Sequence, residues 1–307
     1  MAAANEKQKQ LVELYCSVDF AEEIHNQSRY LLVINILLSI TAFLGNTLIL
    51  IALRKESSLN APSKLLLRSL ALTDLCVGLI SQPLLAMYEW TLMTERTNVC
   101  AFAAFATSIA GHTFSGVTLL TMTAISVDRL LALLLGLRYR EVVTLKRMYI
   151  VVIAFWLGSS AVAAVQLWNL AALRWYSYFV IPLCQVTSAF SYIKIFRTLT
   201  HFRQRTHPGP ENQLNMVRYK RAVSSALWLQ FILVICYLPF TLINIIIALS
   251  TNSSQSTMPS SLFVARSFTI VFTYLNSSLN PILYLWKIRS VRRAAKATIR
   301  QLLCRLS

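Results

Sequence analysis

Seven stretches of this chain carry almost no charge: Leu31–Leu53, Leu65–Tyr88, Cys100–Val127, Met148–Leu173, Trp175–Ile193, Ala222–Leu249 and Ser267–Trp286. Each is near or above the ~18 apolar residues with which an α-helix crosses a bilayer. Lipid offers backbone N–H and C=O groups no partner, so runs of this length predict helices. Arg68, Asp74 and His112 are the only Lys, Arg, Asp, Glu or His residues inside them. Little more than Arg174 separates the fourth run from the fifth, and one helix of that length would exceed any bilayer, so the two are read apart. The expectation is an all-α, seven-transmembrane helix bundle over 31–286. A segment over 1–30 precedes it, and a short amphipathic helix 8 and tail over 287–307 follow. Only 13% of residues are charged, against about 25% in soluble domains.

Basic residues fix the expected orientation. The segments after the first, third, fifth and seventh runs, with the flanking ends of the runs, hold 23 of the 29 Lys and Arg. That puts the N-terminus outside, the C-terminus inside, and the protein in the plasma membrane as a multi-pass chain. The net charge of +17 is then a basic face against anionic cytoplasmic lipid, so no nucleic acid partner is needed to explain it. The sequons at Asn26 and Asn252 fall outside on this topology and are candidate glycosylation sites. The first 30 residues are polar and acidic, without the basic-then-apolar opening of a signal peptide, so the first helix is expected to act as an uncleaved signal.

Some polar residues sit where a bilayer should reject them. A charged side chain at mid-membrane costs about 2.5–3.5 kcal/mol, so Asp74 in "SLALTDLCVGL" is either packing glue hydrogen-bonded to neighbouring helices or a functional group. Asn46, Thr118, Asn276, Ser277 and Asn280 lie at comparable depth in other runs. Together they would offer oxygen ligands to a hard cation such as sodium. Asp128 and Arg129 close a run of 28 residues without Asp, Glu, Lys or Arg. At 1.5 Å per residue that is roughly 42 Å of helix, so it must tilt or protrude. Pro239 in "VICYLPF" and Pro281 in "LNPILY" each remove a backbone donor mid-helix. Two such prolines suit hinges in a bundle that changes shape.

These stretches together carry a resemblance. "GNTLIL", "LALTD", "SVDRLLAL", Trp156, "CYLP" and "NPILY" stand in the order found in rhodopsin-like (class A) G-protein-coupled receptors, followed by the basic amphipathic "WKIRSVRRAAKATIRQLLC". The resemblance spans about residues 30–303. It implies a cell-surface receptor that binds an extracellular ligand and activates heterotrimeric G proteins as helices six and seven rearrange. It implies a sodium pocket at Asn46, Asp74, Thr118, Asn276, Ser277 and Asn280. It assigns the activation switch to Asp128, Arg129, Tyr192, Tyr237, Pro239, Asn280, Pro281 and Tyr284. Outer-half residues Glu89, His112, Phe114, Tyr237, Arg266 and Tyr274 become ligand-pocket candidates, with Glu89 and Arg266 near the mouth.

Departures from the pattern narrow the reading. Where amine receptors place an Asp there is Gly111, so a standard monoamine is not the expected ligand. Where opsins attach retinal there is Tyr274, so no retinal is expected. Tyr237 replaces the usual Trp, and Tyr219 replaces an acid that often pairs with the helix-three Arg, which implies basal signalling. The resemblance offers Cys16–Cys100 as the extracellular disulfide, because the loop between helices four and five is nearly absent and holds no Cys. Cys304 is a candidate for palmitoylation on the membrane lipid face. The short loop and Cys184, in place of a helix-five proline, are similar to the melanocortin, cannabinoid, lysophospholipid and adenosine branch. The competing class is a transporter or ion channel using Asp74 as its ion site, which would usually show a repeat or several membrane acids. An enzyme is not expected, since His112 alone among four histidines lies in a helix and no nucleophile constellation is visible.

Overall fold

The computed structural model describes residues 16, 18–56, 59–94, 96–165, 170–205, 210–251, 260–287 and 289–306. The helices are α1 (Val18–Lys55), α2 (Ala61–Cys76), α3 (Gln82–Met93), α4 (Thr97–Leu135), α5 (Tyr139–Val142) and α6 (Leu145–Val165). They continue as α7 (Leu170–Arg205), α8 (Pro210–Thr251), α9 (Ser260–Lys287) and α10 (Arg289–Leu306). No strand occurs among the described residues. A π-helical stretch, Val77–Ser81, joins α2 to α3, so the two make one span with an extra residue in its middle. The cause is local: the Pro83 ring would clash with the carbonyl four residues back, at Leu79, and a wider turn there relieves it.

Among the described residues, six helical segments are long and apolar enough to cross a membrane: His25–Lys55, Ala61–Met93, Val99–Val142, Leu145–Val165, Tyr178–His201 and Leu227–Ile247. The seventh run lies in α9, whose Asn276, Ser277, Ser278 and Asn280 dilute its apolar character. Two expected boundaries are corrected. α1 already includes Val18, inside the segment over 1–30 placed ahead of the bundle, and residues 170–173 of the fourth run lie with Arg174 inside α7. Arg is a good helix former, so a single one near a helix end marks no break.

Helix α4 is the hub, touching α2, α3, α6, α7 and α8, while α9 bridges α1 and α8. Close approach relies on glycine, as in membrane helix packing generally. A Cβ at Gly78 would stand 3.0 Å from the Phe43 backbone nitrogen, and one at Gly45 would stand 2.8 Å from the Pro281 ring. On α6, by contrast, Ile150, Ile153 and Leu157 face outward, as a lipid-facing helix requires. Amphipathic α10 lies against the end of α1, where Lys55 Nζ donates to Gln301 Oε1 at 2.7 Å and Thr298 Oγ1 at 3.2 Å.

Inside, two apolar cores lie one above the other. One, toward the basic loops, contains Ile49, Leu66, Leu70, Met122, Leu233 and Tyr284. The other contains Leu31, Leu85, Leu92, Phe114, Phe263 and Tyr274, together with Cys16 and Cys100. A polar layer around Asp74 sits between them. The bundle thus has a basic end, where the Lys- and Arg-rich loops lie, and a disulfide end, where Cys16 and Cys100 lie.

Candidate functional site

The polar layer is built by α1, α2 and α9. Asp74 is fully buried, and its Oδ2 accepts a hydrogen bond from Asn280 Nδ2 at 2.7 Å. Ser277 also faces the carboxyl. Asn46 Nδ2 donates to the carbonyls of Ala42 (2.8 Å) and Ser277 (3.0 Å). The remaining oxygens, Asp74 Oδ1, Asn280 Oδ1, Asn46 Oδ1 and Asn276 Oδ1, are buried without a hydrogen-bond partner among the described residues. A carboxylate with several amide oxygens is the donor set that a hard, small cation takes, so these residues fit the sodium ion that the sequence implies. Thr118 is buried on α4.

At the basic end, Asp128 collects three donors. Ser63 Oγ donates to its Oδ2 at 3.0 Å, Tyr139 OH donates to Oδ1 at 2.5 Å, and Arg129 pairs with Oδ2. Arg129 also donates to Ser63 Oγ. Asp128 is 3% exposed, and its pair with Arg129 is the one salt bridge among the described residues. Hydrogen bonds to a charged group contribute about 1.5–3 kcal/mol each, so this cluster holds the Arg129 side chain firmly. Beside it is a cavity of about 350 Å³ lined by Asn60, Pro62, Tyr139 and Arg140 among others. Deeper in, Tyr192 OH receives a hydrogen bond from Ser126 Oγ at 3.1 Å. Tyr284 OH is buried with no partner among the described residues. Pro239 and Pro281 both lie inside helices.

In the disulfide half, Tyr274 approaches Gly111, its hydroxyl 3.0 Å from where a Cβ would stand. Tyr237, which packs into the core toward the basic loops, is buried below it, with Ser115 facing its hydroxyl. His112 Nδ1 pairs with the carbonyl of Ser108 one turn earlier at 2.7 Å, and Arg266 lies near the ring. Phe114 meets Trp156 edge-on, with centroids 6.0 Å apart. Glu89 is a correction: it is no rim residue but 1% exposed, packed against α1, where Ser28 faces it. Because α3 follows a π-turn, its residues are rotated relative to a plain continuation of α2, and the sequence reading did not account for that. Cys16 and Cys100 are joined by a disulfide, and Asn26 is exposed on α1. The side chains of Tyr219 and Cys304, and all of Asn252, lie outside the described residues.

Sequence reasoning missed Ser63, Tyr139 and the Asn35–Gln82 pair. Tyr139 had left a signal: a large aromatic between Arg138 and Arg140 is out of place in a solvated loop.

Comparison with known proteins decides the family. The profile of the 7 transmembrane receptor (rhodopsin family) matches residues 45–177 and 168–284. The chain belongs to this family. It is a G-protein-coupled cell-surface receptor and a multi-pass membrane protein, and the transporter or channel reading gains no support. Similar proteins include an adenosine receptor A3 of Ovis aries, 25% identical over 287 residues, covering 84% of this chain and 86% of the relative. An adenosine receptor A2b of Gallus gallus is 22% identical, covering 89% of each. An olfactory receptor 4D1 of Homo sapiens is 26% identical over 156 residues, 51% of this receptor and 49% of the relative.

Proposed function

We propose that the receptor stands with its basic end in the cytoplasm and its disulfide end outside, and couples ligand binding in the outer half to G-protein engagement at Arg129. The orientation rests on the concentration of Lys and Arg at one end. The observation that carries the coupling is the Asp128 cluster, which ties Arg129 to α2 through Ser63 and to the α4–α6 connection through Tyr139. A bundle state that releases this cluster presents Arg129 to the partner, and a ligand favouring that state shifts the equilibrium toward it. Sodium at Asp74 acts on the same equilibrium, on the side of the closed state.

The pocket offers phenols at Tyr237 and Tyr274, the His112 imidazole and no acid at Gly111. That chemistry suits a flat, uncharged, hydrogen-bonding ligand. The relatives that cover most of the chain are named adenosine receptors, so adenosine is the ligand to test first. The experiment is GTP exchange on a panel of purified Gα subunits in membranes containing the receptor, with and without adenosine. Adenosine-stimulated exchange that Tyr237→Ala or Tyr274→Ala abolishes supports the pocket. No response at saturating adenosine, from receptor confirmed at the surface, removes this ligand.

A further inference from the structure

At the basic end, the cavity of about 350 Å³ beside Asp128 is closed by three element ends. The start of α2 contributes Asn60 and Ala61, the short α5 contributes Tyr139 and Arg140, and the start of α6 contributes Thr144 and Leu145. Its polar groups are rich in donors. Asn60 precedes α2 without capping it through its side chain, so its own amide and the N–H of Ala61 are left for another partner. Thr144 Oγ1 accepts from the Arg147 N–H at 3.4 Å, which leaves the hydroxyl its hydrogen to donate. Arg147 is itself engaged by the carbonyls of Glu141 (3.3 Å) and Val142 (2.7 Å). Arg140 is different: it is exposed and has no salt bridge among the described residues. No carboxylate is among the described residues that line the cavity.

A guanidinium with amide, hydroxyl and backbone donors around it is chemistry for an anion, and for phosphate above all. The apolar side of the cavity says where that anion comes from. Leu145 lines it and is also the first residue of the apolar span of α6. The cavity therefore lies at the depth where lipid headgroups meet acyl chains. From Leu145 an exposed row runs into the membrane at four-residue spacing through Tyr149, Ile153 and Leu157. Residues four apart form one ridge of a helix. A soluble anion uses the donors alone, whereas a lipid uses the donors and this ridge together. The volume is at the lower end of the ~300–1,000 Å³ typical of small-molecule sites, which suits a phosphorylated ring better than a bare phosphate.

We propose that this cavity holds the phosphorylated headgroup of an inositol phospholipid from the cytoplasmic leaflet, with its acyl chain along the Leu145–Leu157 ridge, and that the lipid restrains Arg129. The proposal rests on the orientation and the Asp128 coupling proposed above. Tyr139 is the link. It forms a wall of the cavity and donates to Asp128 Oδ1 at 2.5 Å. Ser63, two residues beyond Ala61, donates to Oδ2 of the same carboxylate at 3.0 Å. A headgroup bridging the starts of α2 and α6 and the α5 turn holds both donors in place. It binds the closed arrangement better than the open one, and so lowers basal exchange. The basic face as a whole attracts any anionic lipid; the cavity adds a choice among them.

The test places the full-length receptor in phosphatidylcholine vesicles that contain either phosphatidylserine or phosphatidylinositol monophosphate, at equal surface charge. The receptor is then moved into detergent, and the lipid it retains is counted by mass spectrometry. Arg140→Gln is the test variant. Arg293→Gln, which removes an exposed cation of α10 at the same end of the bundle, is the control. The unaltered receptor and Arg293→Gln should retain the inositol lipid severalfold over phosphatidylserine, and Arg140→Gln should lose that preference. No preference in the unaltered receptor, or equal loss in both variants, would overturn the site. Should Arg140→Gln fail to fold, Asn60→Ala makes the same prediction. Soluble inositol bisphosphate is added as a competitor. Displacement of the lipid only at large excess fits a membrane ligand, and displacement at equal concentration would overturn the lipid assignment. Basal GTP exchange in the same vesicles should fall severalfold with the inositol lipid, and not in Arg140→Gln. Selective retention without any change in exchange supports the site and removes only its link to Asp128.

Discussion

At the scale of single residues, Asp128 is the group whose environment decides most. It is an acid at the end of a long apolar helix, and it is tolerated there because Ser63, Tyr139 and Arg129 all donate to it. Tyr139→Phe deletes one donor to a charged acceptor, a loss of about 1.5–3 kcal/mol from the closed arrangement. Since 1.4 kcal/mol is tenfold in an equilibrium, basal GTP exchange should rise by about tenfold or more, with surface expression retained. Unchanged exchange would mean that the tyrosine is a packing residue only. Asp74 makes a different kind of claim. Asp74→Asn keeps the shape of the side chain but removes the charge a cation needs, so the receptor's melting temperature should stop responding to NaCl in place of choline chloride. A sodium-dependent shift that survives the substitution would place the ion elsewhere.

At the scale of elements, two contacts tie helices together at opposite ends. At the basic end, Lys287 of α9 sits 3.6 Å from the Trp286 ring centroid and 4.9 Å from that of Trp228 on α8, and the two indoles meet at 5.5 Å. A cation over an aromatic face contributes about 0.5–2 kcal/mol, and the rings add their own contact. This staple resists any outward movement of α8 from α9, so Trp228→Ala should raise basal exchange severalfold while leaving the Asp74 sodium response intact. A lower or equal rate would show that α8 does not part from α9 there. At the disulfide end, Cys16 and Cys100 tie the start of α1 to the first turn of α4 across a separation of 84 residues. Removing such a bridge typically costs about 2–4 kcal/mol. Cys16→Ser, Cys100→Ser and the double variant should all melt at the same, lowered temperature. A double variant that loses as much as both single losses combined would mean that the cysteines act separately.

At the scale of the whole molecule, the architecture was legible because a bilayer leaves a chain few options. Length and charge placed seven helices, and the differences lie at their ends: α1 already includes Val18, and residues 170–173 belong to α7. Polar residues in apolar runs also announced themselves, and Asp74 with Asn280 came together as a bonded pair. What stayed hidden depends on rotation about a helix axis. The π-turn before Pro83 turns Glu89 from a rim position into the seam against α1, and no apolar periodicity records such a shift. Ser63 and Tyr139 were invisible for another reason: hydroxyl groups in short connections become significant only once Asp128 is brought to them. The most direct measurement is GTP exchange on a Gα panel in membranes containing the unliganded receptor, beside Arg129→Ala at equal surface density. At least one Gα subunit should exchange faster with the unaltered receptor than with Arg129→Ala. Equal rates on every subunit, with both proteins at the surface and adenosine present or absent, would contradict it.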